Sequence, residues 1–258
     1  MRLAVKLADA TLHGEQRGAR PSAVFLHGFG SDLHGWDGIW DRLDGKLDGI
    51  RHDLRGFGQS TALSDAPFSH SDDLLALLDV AAIEQADLIG ISMGGSIALH
   101  FALDHPERVR RLVLISPGLM GWQWSEQWKA LWRPITSAAR AGRMDEARAL
   151  WLAHPLFETT RTSPAAPILA RSIARYSGAQ WVADHERPCL PDLDRLPCLA
   201  APTLLLTGAL DMPDFGLIAD LIAGSVPDVT RIDHSGCGHM LTLEAPDECS
   251  DAIARFLA

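Results

Sequence analysis

Short apolar runs recur along this chain at 2–8, 10–14, 22–27, 49–53, 86–91, 111–116, 202–207 and 229–233, and from the third onward most are separated by helical patterns. Runs of that length read as strands. Strands that alternate with helices fold as a mostly parallel sheet with helices on its faces, so the expected class is α/β. The helix after Ser71 is one such pattern, with Leu74, Leu75, Leu78 and Ala81 on a 3.6-residue period. The helix that begins at Met93 ends before Pro106, and the last helix turns Ala252, Ile253, Phe256 and Leu257 inward.

The alternation fails once. Residues 118–195 carry helical periodicities and no strand pattern. Trp128, Leu131, Trp132 and Ile135 share one helical face, Met144, Ala147, Leu150 and Trp151 a second, and Leu169, Ile173 and Tyr176 a third. Six of the eight tryptophans fall in this segment: Trp122, Trp124, Trp128, Trp132, Trp151 and Trp181. Pro188, Pro191 and Pro197 mark its exit, and the strand pattern resumes at Pro202. The expected organisation is a core made of 1–117 and 196–258, with an all-helical insertion at 118–195.

Composition removes several function classes. The chain has 258 residues and is 47% hydrophobic, enough for one sizeable core. A net charge of −10 argues against a nucleic-acid or anionic-membrane surface. No apolar stretch approaches the length of a spanning helix, and the N-terminal residues lack the long apolar core of a secretion signal. A cytoplasmic protein is expected. Cys189, Cys198, Cys237 and Cys249 form no C-x-x-C pair, so neither a zinc site nor a disulfide framework is expected.

The stretch "LIGISMGGSIAL", Leu88 to Leu99, holds the first chemical signal. An apolar strand ends at Ser92 between Gly90 and Gly94 and runs straight into a helix. A tight strand-to-helix turn strains its central residue and brings the positions two before and two after it together, where only glycine fits. Such a turn lifts the Ser92 hydroxyl above the sheet and sets the Met93 N–H at a helix N-terminus, where negative charge is stabilised. Taken alone, Ser92 is equally a helix N-cap. A serine alcohol also needs a base, and the base needs an orienting acid.

Both follow in order. "TLLLTGALD" is a strand ending in a turn with Asp211, and "RIDHSGCGHM" is a strand leading to a glycine-rich loop with His239. Serine, acid and histidine in that order suit a nucleophile elbow, and open parallel sheets collect sites at the carboxyl ends of their strands. In "VFLHGFG" the glycines let the backbone turn so that the Phe29 N–H can serve as a second oxyanion donor; "HDLRGFGQS" adds another glycine-rich turn at a strand end. His234 is the rival of His239, and Asp214 of Asp211. His239 has the G-x-G-H context and Asp211 the G-x-x-D spacing, which favours them. His27 and Arg55 read as braces of their loops, and Cys237 as a small neutral residue.

Together these turns make the chain resemble the α/β-hydrolase superfamily, in particular serine-nucleophile members with a helical cap. The resemblance implies Ser92 as nucleophile, His239 as base, Asp211 as acid, the Phe29 and Met93 amides as oxyanion hole, and 118–195 as the cap. It implies no metal and no organic cofactor. A serine at the elbow argues against haloalkane dehalogenases and epoxide hydrolases, which use aspartate there. The single tyrosine, Tyr176, cannot supply the tyrosine pair of epoxide hydrolase caps. Met240 follows His239 where hydrolases of meta-cleavage products often carry tryptophan. The expected activity is hydrolysis of a carboxylic ester or lactone. Carbon–carbon hydrolysis, cofactor-free perhydrolysis or haloperoxidation, and ligand binding without turnover are the alternatives. The cap tryptophans, Trp128 and Trp132 foremost, are expected to give an apolar ceiling free of clustered lysine or arginine.

Overall fold

In the computed structural model, which describes residues 1–258, the apolar runs line up as one nine-stranded sheet. The elements in chain order are β1 (Arg2–Lys6), β2 (Ala10–Arg17), β3 (Ala23–Leu26), α1 (Asp37–Arg42), β4 (Gly49–His52), β5 (Thr61–Ala62), α2 (His70–Val80), β6 (Ala86–Ile91), α3 (Met93–Asp104) and β7 (Val109–Ile115). Then come α4 (Glu126–Arg140), α5 (Met144–Leu152), α6 (Glu158–Arg161), α7 (Ala166–Arg175) and α8 (Ala179–Val182), with no strand among them. The chain closes with β8 (Thr203–Gly208), α9 (Pro213–Ser225), β9 (Val229–His234), α10 (Leu241–Glu244) and α11 (Pro246–Leu257).

The strands lie in the order β1-β2-β4-β3-β6-β7-β8-β9, with β5 beside β2. β1, β2 and β4 pair antiparallel, and every pair from β4 to β9 is parallel. The parallel strands bury both faces, as their unbroken apolar sequences require. Val24, Leu26, Leu88, Leu112, Leu114 and Leu205 pack with Leu74, Leu77, Ile97, Phe101 and Ile218 of α2, α3 and α9. Phe25, Ile89, Val113, Leu204 and Leu206 pack on the opposite face with Trp36, Ile39 and Ile253. Alternate residues of each strand divide between two cores, and each fully buried aliphatic side chain contributes roughly 1.5–3 kcal/mol. The order also explains where a site can form. The chain passes from β3 to β4 on one side and returns to β6 on the other, so the ends of β3 and β6 flank the crevice where winding reverses.

Three features depart from the expectation from sequence. β2 runs to Arg17, because Glu15, Gln16 and Arg17 pair with Arg51, Ile50 and Gly49 of β4. Their polarity hid the strand, and the Arg51–Glu15 ion pair at 2.6 Å shows how it is accommodated. β5 is two residues long and exists through its pairing with Ala10 and Thr11. α2 also starts one turn-position earlier than read, with Ser69 as its cap, accepting from the Ser71 and Asp72 amides.

Helices α4–α8 bury Ile135, Ala138, Ala147, Trp151, Leu169 and Ile173 among themselves and against the main core. Where the segment leaves α8, the Phe68 N–H donates to His185 O (3.1 Å) and the Arg187 N–H to Phe68 O (2.7 Å). His100 of α3 then binds Asp192 at 2.8 Å. No helix is long and apolar enough to cross a membrane.

Candidate active site

The turn after β6 shows why its residues are what they are. Ser92 has φ +54° and ψ −117°, a strained backbone for a residue with a side chain. A Cβ on Gly90 would stand 2.3 Å from Gly94 O, and one on Gly94 would stand 2.1 Å from Leu26 O. These obstacles are backbone atoms, so a larger residue at Gly90 would displace the first turn of α3, and one at Gly94 the end of β3. Met93 opens α3, and its N–H is among the first-turn donors that have no partner within a helix.

The loops after β8 and β9 meet as closely. A Cβ on Gly208 would lie 2.0 Å from Gly238 O. The Ala209 N–H donates to His234 O (3.0 Å) and the Leu210 N–H to Cys237 O (2.9 Å). This contact brings Asp211 and His239 together: His239 Nδ1 is 2.8 Å from Asp211 Oδ2, and Nε2 is 2.9 Å from Ser92 Oγ. An ionised Asp211 only accepts, so Nδ1 carries the proton and donates, leaving Nε2 to accept from the serine hydroxyl. Asp211 Oδ1 accepts from the Met212 N–H at 2.7 Å. The His239 side chain is 1% exposed and that of Asp211 5%, so the hydrogen bond between them is buried.

The rivals sit elsewhere. Asp214 accepts from Ser125 Oγ (2.6 Å), the Ser125 N–H (3.0 Å) and Trp122 Nε1 (3.0 Å). Burial works against its charge, but these donors outweigh it and hold the carboxyl below its usual range. It anchors the start of α4 to α9. His234 contributes its carbonyl to the Asp211 loop, and its buried Nε2 has no partner. His27 is a brace: Nε2 accepts from the Leu54 N–H at 3.0 Å, and Nδ1 lies 2.9 Å from Gly28 O. Burial pushes its pKa down. Arg55 is held between Asp9 and Asp73. Burial raises the Cys237 thiol, which stays neutral.

Ser92, Met93, Phe29 and His239 line one cavity of about 580 Å³. The 27–30 turn passes against the serine, since a Cβ on Gly28 would lie 3.3 Å from Ser92 Cβ. Trp128 and Trp132 line the cavity with Trp122, Trp124 and Trp151; Trp181 does not, and is fully buried instead. Trp132 meets Phe29 edge-on at 5.2 Å, and Trp128 stacks on Trp124 at 4.4 Å. Both therefore pack and line the wall. Against expectation, Lys129 and Arg133 of α4 also line the cavity, each one residue beyond a cavity tryptophan. Both pair with Glu126, at 2.9 and 3.7 Å, and the Arg133 side chain is 72% exposed, which puts it at the rim.

Sequence reasoning missed four further groups. Phe215 packs on the His239 ring at 4.2 Å. Glu244 accepts from the Gly238 N–H, next to His239, and from Thr160 Oγ1 of α6. His154 accepts from the Leu156 N–H at 3.2 Å, and burial, with His239 and Arg161 nearby, pushes its pKa to about 4. Glu186 is the sole acidic residue in the cavity wall. Nothing in the sequence marked these four, because what each contacts lies in a distant part of the chain or was set by the fold.

Residues 21–150 match the model of the alpha/beta hydrolase fold family. A 2-hydroxymuconate semialdehyde hydrolase from Pseudomonas sp. (strain CF600) is 36% identical over 133 residues, 49% of this chain and 47% of that protein. A pimeloyl-[acyl-carrier protein] methyl ester esterase from Nitrosomonas europaea is 26% identical over 95% of this chain and all of its own length. Among solved structures, Est816, an N-acyl homoserine lactone degrading enzyme, superposes with a TM-score of 0.78 at 25% identity, covering 98% of this chain and 100% of its own. This chain spans about half the length, or less, of the first curated relatives that it matches, 47% of the semialdehyde hydrolase and 43% of a 2-hydroxy-6-oxo-6-phenylhexa-2,4-dienoate hydrolase from Comamonas testosteroni.

Proposed function

The chain belongs to the α/β-hydrolase fold family, and we propose that within it this protein is a serine hydrolase that cleaves a carboxylic ester or lactone through an acyl-enzyme. The observation that carries the reading is the Ser92–His239–Asp211 relay, with contacts of 2.9 and 2.8 Å at the floor of one cavity. His239 takes the Ser92 proton as Oγ attacks the carbonyl carbon. Asp211 holds the imidazole and stabilises the imidazolium. The Phe29 and Met93 amides receive the tetrahedral oxyanion. His239 returns its proton to the leaving alcohol and then activates water, which releases the acid and regenerates Ser92. The residues of 118–195 act as the cap, and Trp128 and Trp132 bind the apolar part of the substrate.

An esterase relative over nearly the whole chain and a lactone-degrading structure of matching length support this choice. The carbon–carbon reading has its own support in the muconate semialdehyde hydrolase, but that likeness covers half of each chain. Ser92 should be the residue labelled by a fluorophosphonate probe, and Ser92→Ala should abolish labelling. A pre-steady-state burst with p-nitrophenyl butyrate should accompany it. Labelling that survives Ser92→Ala would remove the nucleophile. Turnover of a vinylogous 1,5-diketone but of no ester or lactone would move the protein to carbon–carbon hydrolysis, and labelling without turnover would leave a binding protein.

A further inference from the structure

Away from Ser92 the cavity wall is not uniformly apolar. α3 carries Ser96 and His100 at four-residue steps from Ser92, so the three lie along one side of the helix, each step a rise of about 6 Å. Ser96 lines the cavity, and so does Glu186. His100 is already engaged, with Asp192 at 2.8 Å and Asp104 at 3.3 Å.

The segment that holds Glu186 is fixed. Its neighbours bond the backbone of Phe68 on both sides, at 3.1 and 2.7 Å. Successive residues of such an extended segment point in opposite directions. Arg187 turns out to pair with Asp72 of α2, and Glu186 turns into the cavity. No side chain hydrogen-bonds or pairs with its carboxyl; the backbone N–H of His70 faces it, with Asp184 and Asp73 as acidic neighbours. Burial and Asp184 push its pKa up to about 7. A half-buried carboxyl without a partner side chain weakens the fold. Nothing in the packing needs it there, whereas Asp192 and Asp214, also buried, each have donors.

We propose that Glu186, which lines the same cavity as Ser92 and Ser96, forms a polar subsite that accepts a hydrogen-bond donor carried by the substrate, a hydroxyl or an ammonium group at the end remote from the ester carbon. The substrate class is then a medium-chain ester or lactone with a polar donor at its far end. The Ser92 reading enters only to place the reacting bond; the subsite stands or falls by its own measurement.

The test compares p-nitrophenyl esters of hexanoate, 6-hydroxyhexanoate and 6-aminohexanoate, whose chains span about one turn of α3. The wild-type protein should favour a donor-bearing ester over hexanoate by about tenfold in kcat/KM, through KM, as a charge-assisted hydrogen bond would give. In Glu186→Leu that ratio should fall to near one. Glu186→Gln, the conservative variant, should keep a preference for the hydroxyl and lose any for the ammonium, which identifies the donor. A wild type with no preference, or a Glu186→Leu protein that keeps it, overturns the subsite. The same three esters are titrated into Ser92→Ala, followed by the fluorescence of the cavity tryptophans. The ratio of their Kd values decides on Glu186 even where the wild type turns nothing over, an outcome that counts against the acyl-enzyme alone.

Discussion

His52, at the end of β4, and His70, at the start of α2, are 2% and 4% exposed, and Nδ1 of each lacks a partner. Burial, with repulsion from His27 and, at His70, also from His52 and Arg55, pushes both to about pKa 3. In the unfolded chain they titrate near 6.5. A histidine whose folded pKa is lowered favours the fold fully above 6.5, and that contribution is lost as pH falls below it, down to about 3. Between pH 7 and pH 5 each such group costs about 2 kcal/mol, so the pair removes about 4 kcal/mol from a domain whose total stability is of order 5–15 kcal/mol. His154 acts in the same direction. His100, raised by its hydrogen bond to Asp192, acts in the opposite one and blunts the loss. Urea unfolding, followed by far-ultraviolet circular dichroism, should therefore show a much lower midpoint at pH 5 than at pH 7. His52→Phe and His70→Phe should each shrink that difference by about 2 kcal/mol, whatever they do to stability at pH 7. Equal midpoints at the two pH values, or variants that keep the full wild-type difference, would refute the reasoning.

Three further outcomes can be checked. Asp211→Asn should lower kcat by about 10³-fold or more, because the wrong imidazole tautomer then faces Ser92, whereas Asp214→Asn should lower thermal stability and leave far more activity; a larger activity loss for Asp214→Asn in folded protein would reverse the assignment. Glu244→Ala strips the Gly238 N–H beside His239 of its acceptor, which costs about 1–3 kcal/mol and should lower both the melting temperature and kcat; a folded variant with unchanged kcat would show that the His239 loop is held without it. Trp132→Ala should raise KM for hexanoate esters more than for acetate esters, and an equal change for both would make Trp132 a packing residue only.

What could be read from the sequence was what local geometry dictates. The glycines around Ser92 and the G-x-x-D and G-x-G-H turns are legible because backbone atoms leave no room for a side chain at Gly90, Gly94 and Gly208. The strands of the parallel sheet are legible because both faces are buried and the sequence is continuously apolar. Polar residues of β2 were not, since their partners on β4 come some 35 residues later. Distance in the chain also hid the ties of Asp214 and Glu244 to the helical segment, whose donors there, Ser125 and Thr160, lie 89 and 84 residues away. Periodicity put Trp151 on an apolar helical face, yet it could not tell that this face borders the cavity, and it placed Trp181, fully buried away from the cavity, on no face at all. Lys129 and Arg133 were overlooked because a helical wheel assigns them to the flank of the apolar face; a cavity open at its rim takes in the flank as well.

The anchors that escaped the sequence share a location, and it bears on how the helical segment and the relay depend on each other. Asp214 stands three residues after Asp211 and holds the start of α4. Glu244 stands five residues after His239 and binds both the adjacent Gly238 amide and Thr160 of α6. Phe215 touches Trp124 and Trp128 on one side and the His239 ring on the other. The two loops that carry Asp211 and His239 are thus the loops to which α4 and α6 are tied. A change in how these helices sit therefore reaches Asp211 and His239 through hydrogen bonds and aromatic contacts, before any substrate is involved. Ser92 has no tie to α4 or α6: its N–H donates to Ile115 O of β7 (2.9 Å), its carbonyl accepts from the Gly118 N–H (3.1 Å), and Gly94 packs on the end of β3. Ser92 thus belongs to the sheet, and the Asp211–His239 pair to the seam between sheet and helical segment. Substitutions in α4 and α6 are accordingly expected to act on kcat as well as on KM, even where the altered side chain never meets the substrate.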